Sequence, residues 1–291
     1  ARRTIAGALF VEHLTLVHRG RRPARECLVS EPRTMRTEPP LLVPTLRPGV
    51  PVAVAMRGRS LQRSHLVERV FVLLSVWPLA LFRTRAVVTV ATDFVTEPAR
   101  VPLSAEVVQA IAEQQAAPHD RTMASGLEFH SLREHLAHED ARGVHALRSA
   151  ALGTLVRRVT RGRLPHTVGL VLDLRRPPGR PLQQGTRRFE WSLGACASLV
   201  AHLRQRAAHV RVLVVAEEPA QFLVNSPAQE HDLLTLLAEA GPTPFRQLAP
   251  DLFAELLRLE HCFWIPAGAY TASPEIAALP RTVTLVGGDF E

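Results

Sequence analysis

Residues 166–174, HTVGLVLDL, are a near-continuous apolar run. A strand with one solvated face alternates apolar and polar residues, so an unbroken run belongs to a strand covered on both faces, as in a parallel sheet. The residues that follow fit that requirement. FEWSLGACASLVAHLRQRA (189–207) reads as a long helix whose Gly194, Ala195 and Ala197 permit close packing on a sheet. HVRVLVVAEE (209–218) is a second strand, and AQEHDLLTLLAEAG (228–241) is a helix with Gly241 as its stop signal. DLFAELLRLE (251–260) is another helix, and CFWIPAG (262–268) and RTVTLVGG (281–288) are further strands. Strands alternating with helices predict a doubly wound α/β domain over residues 166–291.

The first hundred residues carry a different pattern. ALFVEHLTLVH (8–18), PVAVAMRG (51–58) and AVVTVATDFV (86–95) are short runs rich in Val, Leu, Thr and Phe. RGRRP (19–23), EPP (38–40) and RPG (47–49) supply turn chemistry between them. This pattern predicts a small Ig-like β-sandwich over residues 1–103, closed by Pro98 and Pro102. From Ser104 the period becomes helical, with Val107, Val108 and Ile111 on one face of SAEVVQAIAEQQ. Residues 104–165 therefore form a connector, and the fold class is α+β in two parts.

The longest apolar stretch, VFVLLSVWPLALF (70–82), is too short for a bilayer and contains a proline. No leader pattern opens the chain, which begins at Ala1; a membrane tether would be expected ahead of that residue. Cys27, Cys196 and Cys262 lie far apart and form no CxxC, which fits buried thiols in a reducing compartment.

The chain carries a formal charge of +8, all of its 35 basic residues being arginine. With one tyrosine and no aromatics interleaved among the arginines, a nucleic-acid partner is not the expectation. The charge is unevenly spread. Residues 212–291 hold three arginines against eleven acids, a net of −8, and residues 1–211 hold 32 against 16, a net of +16. That polarity suits an anionic membrane surface, an acidic partner, or a solvated basic face.

EFHSLREHLAHEDARGVH (128–145) concentrates Glu128, His130, Glu134, His135, His138, Glu139, Asp140 and His145. His135 and Glu139 are four apart and can share a helical face, which is the basis for a metal-dependent hydrolase reading. HLAHE is not HExxH, however, and no cysteine stands near enough to complete a structural zinc site. The competing readings are a salt-bridge network among Arg133, Glu134, Glu139, Asp140 and Arg142 that docks a loop–helix segment, and a partner-binding surface made of the same residues.

GLEFHSLREHLAHEDARGVHALRSAALGTLVRR (126–158) resembles a bacterial family, domain of unknown function 58. Its pattern runs Arg-Glu-Tyr, then Gly-Asp-Asp, Arg, Ile-His-Trp, Ser-Ala-Arg and Gly. Arg133, Glu134, Glu139, Asp140, Arg142, Val144, His145, Ser149, Ala150, Gly153 and Leu155 fall in register with it. LRPGVPVAVAMRGR and SVWPLALF resemble the family's sandwich segment. His135, His138, Ala146 and Ala151 depart from the pattern, standing where the family has tyrosine, glycine, tryptophan and arginine.

The resemblance implies a von Willebrand factor A-like second half, an interaction motif at Arg133, Glu134, Glu139, Asp140, Arg142 and Ser149, and partnership with a MoxR-type AAA+ ATPase on the cytoplasmic side of a membrane. It also implies a Mg²⁺ adhesion site of the form Asp-x-Ser-x-Ser. Here Asp173 fits, but Arg175 and Pro177 replace the two hydroxyls, so no metal is expected and an Asp173 ion pair with Arg175 or Arg176 can take the cation's place. No GxSxG, P-loop or GxGxxG motif occurs, and no motif requires a cofactor. Cys262 follows His261 but would point to the opposite face of a strand. The expected function is a non-enzymatic adaptor; a hydrolase using residues 130–145 and arginine-mediated nucleic-acid binding are the alternatives.

Overall fold

The computed structural model describes residues 2–32, 35–37, 40–77, 83–116, 128–136, 143–161, 167–176, 182–206, 209–244, 254, 262–267 and 282–284. They form a mixed α/β structure with more strand than helix.

Eight strands come first: β1 (Arg2–Ile5), β2 (Leu9–Val17), β3 (Ala24–Ser30), β4 (Met35–Thr37), β5 (Leu41–Leu46), β6 (Pro51–Ser60), β7 (Ser64–Ser75) and β8 (Thr84–Glu97). They make a five-stranded sheet in the order β1-β8-β7-β3-β5 and a three-stranded sheet in the order β2-β6-β4. Pro44 lies in β5, at an edge, and the ladder to β3 passes it over, pairing Thr45 with Arg25 and Val43 with Cys27. β1 is the exception to antiparallel pairing, running parallel to β8 from Arg2↔Phe94 to Ile5↔Glu97.

The two sheets share one core. Cys27, Val29, Val43, Leu46 and Phe71 come from the larger and Met56 from the smaller, with Leu14, Leu16, Val52 and Val54 packed against them. Within it, buried Glu12 accepts from Arg69 at 2.6 Å and from Arg2 at 2.5 Å. Arg69 also lies over the rings of Phe71 and Phe94, so its charge is compensated on three sides.

Next come α1 (Ala105–Ala116), β9 (Glu128–Glu134), α2 (Ala146–Leu152) and β10 (Val156–Arg161). β9 and β10 form their own two-stranded antiparallel sheet, Val156 opposite Glu134 and Arg157 opposite Arg133. The start of the charged stretch is therefore strand rather than the loop–helix expected. Its partner is supplied by Val156, Val159 and Thr160, more than twenty residues on, which no local pattern reveals.

The last third holds β11 (Thr167–Asp173), β12 (Arg175–Arg176), α3 (Leu182–Gln205), β13 (His209–Val215), β14 (Ala220–Val224), α4 (Pro227–Glu239), β15 (Thr243–Pro244), β16 (Cys262–Pro266) and β17 (Thr282–Thr284). Its sheet has the order β14-β13-β11-β16-β17, parallel except for the edge strand β14. β11 is buried from Val168 to Asp173, as its apolar run requires. Phe189, Leu193, Cys196, Leu199, Val200 and Leu203 of α3 pack against it with Leu233, Leu234 and Leu237 of α4. The helix expected at 251–260 lies outside the described residues, apart from helical Ala254.

The chain leaves β11 for β13 on one side and reaches β16 on the other. The carboxyl end of β11 is thus the sheet's switch point, where the diverging connections open a crevice.

Candidate functional site

Asp173 stands at that switch point and is 5% exposed. Its Oδ1 accepts from Arg175 Nε at 2.8 Å and its Oδ2 from an Arg175 terminal nitrogen at 2.7 Å, while the Arg175 backbone N–H reaches Oδ1 at 3.1 Å. Of the two arginines expected as ion-pair partners, it is Arg175, itself 3% exposed, that binds Asp173, in bidentate geometry. The pair is locked by backbone bonds from Ala267 N to the Asp173 carbonyl (2.8 Å) and from Thr243 N to the Leu174 carbonyl (3.0 Å). Beneath it, Ser192 Oγ of α3 lies 2.9 Å from the Arg188 carbonyl and 3.0 Å from the Pro266 carbonyl, tying helix to strand.

These residues do not fit a hard divalent cation. Both carboxylate oxygens are engaged by a guanidinium, whose fixed positive charge repels a cation and which offers it no lone pair. Among the described residues, no three His, Cys, Asp or Glu side chains group as a metal site. Arg188, Ser192 and Thr243 were not singled out by sequence. The one available signal was a serine inside the apolar face of a helix.

The charged motif divides differently. Arg133 and Glu134 end β9 and are exposed; Glu139, Asp140 and Arg142, like His138, lie outside the described residues. Ser149 is buried and acts inside the unit. Its Oγ accepts the Val156 N–H at 2.8 Å, pinning α2 to the first residue of β10. His145 caps α2: its side chain accepts from Arg148 N, and its own N–H donates to the Val156 carbonyl at 2.8 Å. His135 follows β9 and donates its N–H to the Leu155 carbonyl at 2.8 Å, so it is placed by a strand and not by the helical face that the metal reading assumed. Beside these residues Leu136, Leu147, Leu152 and Leu155 are exposed, Leu147 at 82%.

The cysteines are buried and free. Burial pushes the Cys196 and Cys262 thiols up to about 12, so neither is an activated nucleophile. Among the described residues no helix is long and apolar enough to cross a membrane.

No protein-family model, curated protein or solved structure matches this chain.

Proposed function

We propose that the chain is a non-enzymatic interaction adaptor, an Ig-like β-sandwich followed by a von Willebrand A-like α/β unit, which works with a MoxR-type AAA+ ATPase at the cytoplasmic face of a membrane. The observation that carries the reading is the β9–α2–β10 unit. It presents Arg133 and Glu134 beside four exposed leucines, while its polar interior is spent on holding its own shape. Apolar side chains rimmed by charge are the composition of a protein-binding surface. The Asp173–Arg175 pair supports the same reading: a guanidinium stands where the related fold would hold its cation, which favours docking without metal.

The test is capture from a lysate of the native host, with the intact chain as bait, with and without ATP and Mg²⁺. Arg133→Glu/Leu147→Asp, both at exposed positions, should lose an AAA+ ATPase that the parent retains while its circular dichroism stays unchanged. Equal capture by both baits, or capture of no AAA+ ATPase by either, would sink the proposal. The membrane part is tested separately with phosphatidylserine vesicles: binding should weaken steeply between low and physiological salt.

A further inference from the structure

Among the described residues, the outer edge of β8 is paired only at its C-terminal end. On one side β7 pairs with Thr84–Ala91 and, after a break in register, with Phe94–Thr96, but on the other side β1 covers only Phe94–Glu97. Among the described residues no strand pairs with the outer edge of residues 84–93. Every second residue there turns its backbone N–H and C=O outward. Burial changes at the same place: residues 84–91 are exposed and residues 94–97 are buried.

The face of this open segment that turns toward the smaller sheet does not meet it. Ala86, Val88 and Val90 line a cleft of about 910 Å³, with Leu14 and Leu16 of β2 among the residues across from them. Val88 and Val90 are each 43% exposed. The cleft is also basic. Arg2, Arg19 and Arg69 stand in its wall against one carboxylate, Glu12, which already accepts from Arg2 and Arg69.

We propose that this edge and cleft dock an extended peptide segment of a partner protein, apolar at alternate positions and acidic at one end, which adds to β8 as a strand and places its apolar side chains between the two sheets. The open ladder requires a backbone. A lipid chain can fill the cleft but leaves the row of N–H and C=O groups unmet, whereas strand addition satisfies both. Arg2 and Arg69 share Glu12, whereas exposed Arg19 lines the cleft past the far end of β2, and it is there that an acidic end of the peptide is selected. Residues 84–93 accept roughly nine residues at about 3.3 Å each before the incoming strand meets β1. This surface is separate from the β9–α2–β10 unit, and neither inference depends on the other.

The probe is a fluorescein-labelled peptide of two aspartates followed by alternating valine and threonine, titrated into the intact chain by fluorescence anisotropy. Saturable binding is expected, at least tenfold weaker when lysines replace the aspartates and lost when prolines replace the threonines. Val88→Asp should weaken binding at least tenfold, and Val67→Asp, on an exposed residue that does not line the cleft, should leave it within twofold. Amide exchange on the unaltered chain should slow on peptide addition at residues 84–93. The proposal is overturned by no saturable binding, by equal binding of the proline peptide, by protection confined to other residues, or by a free protein that is already a dimer protected at residues 84–93.

Discussion

Breaking the Asp173–Arg175 pair should cost more than the pair contributes. Both partners are almost fully buried, and removing one leaves the other's charge in a poorly solvating interior. Arg175→Met should lower unfolding stability by about 3–5 kcal/mol, whereas Asp173→Leu/Arg175→Met should recover most of that loss. Urea denaturation of the three proteins checks this, and a single variant no worse than the double would contradict it. The pair was half legible in the sequence. Asp173 closes the apolar run, and residues two apart on an extended chain share a face, which favours Arg175 over Arg176. The Ser192 and Thr243 contacts that hold the crevice were not legible, because they depend on where α3 and β15 come to lie. A second residue has a similarly local consequence. A Cβ on Gly194 would meet the Ala99 carbonyl oxygen, which is backbone and cannot swing aside. Gly194→Ala should therefore destabilise by about 1–3 kcal/mol even though alanine favours helix, and a raised Tm would count against that close approach.

At the scale of elements, patterns that stand alone were readable and patterns that need a partner were not. β11, α3, β13, α4 and β16 fall where the apolar runs put them, because each is covered on its own terms by the same core. β14 was missed: AQFLV is short and half-exposed, and it becomes a strand by pairing antiparallel with β13. β9 was misread for the same reason. α2 is the extreme case, at seven residues too short to persist alone, so its ends must be held. Gly153 closes it at φ +69°, and Ser149 satisfies the Val156 N–H. Ser149→Ala should leave that donor unsatisfied and cost about 1–3 kcal/mol, and Gly153→Ala about 1 kcal/mol or somewhat more. Both effects should appear as faster amide exchange across α2 and β10. A Ser149→Ala protein with unchanged exchange would remove the structural role given to Ser149 and return it to the docking surface.

At the scale of the whole molecule, part of the charge polarity is consumed internally. Arg3 donates to Thr235 Oγ1 and the His231 carbonyl, and Arg63 to the Leu237 and Ala238 carbonyls and to Glu190. Arg204 of α3 pairs with Glu230. Arg3 and Arg63 of the strand-rich half thus reach carbonyls of α4, and those that Arg63 meets, Leu237 and Ala238, lie in its last turn, where a cation is favourable. His65 sits at this junction, with Nδ1 2.5 Å from Glu239 and Nε2 2.9 Å from Asp93. Carboxylates only accept, so both bonds exist together only when the imidazole carries both protons. The Glu239 hydrogen bond, followed by that to Asp93, raises the His65 pKa. A raised folded pKa gives stability that is fully present below the unfolded value of about 6.5 and is lost as pH climbs through the higher folded value. The parent's stability advantage over His65→Gln should therefore be largest below about pH 6.5 and disappear toward alkaline pH. Because Asp93 and Glu239 are largely exposed, that advantage should also shrink in about 1 M salt. Urea midpoints for the two proteins across this pH range decide it. A constant difference would mean that the junction is held by Arg3 and Arg63 alone, with His65 a bystander between two carboxylates.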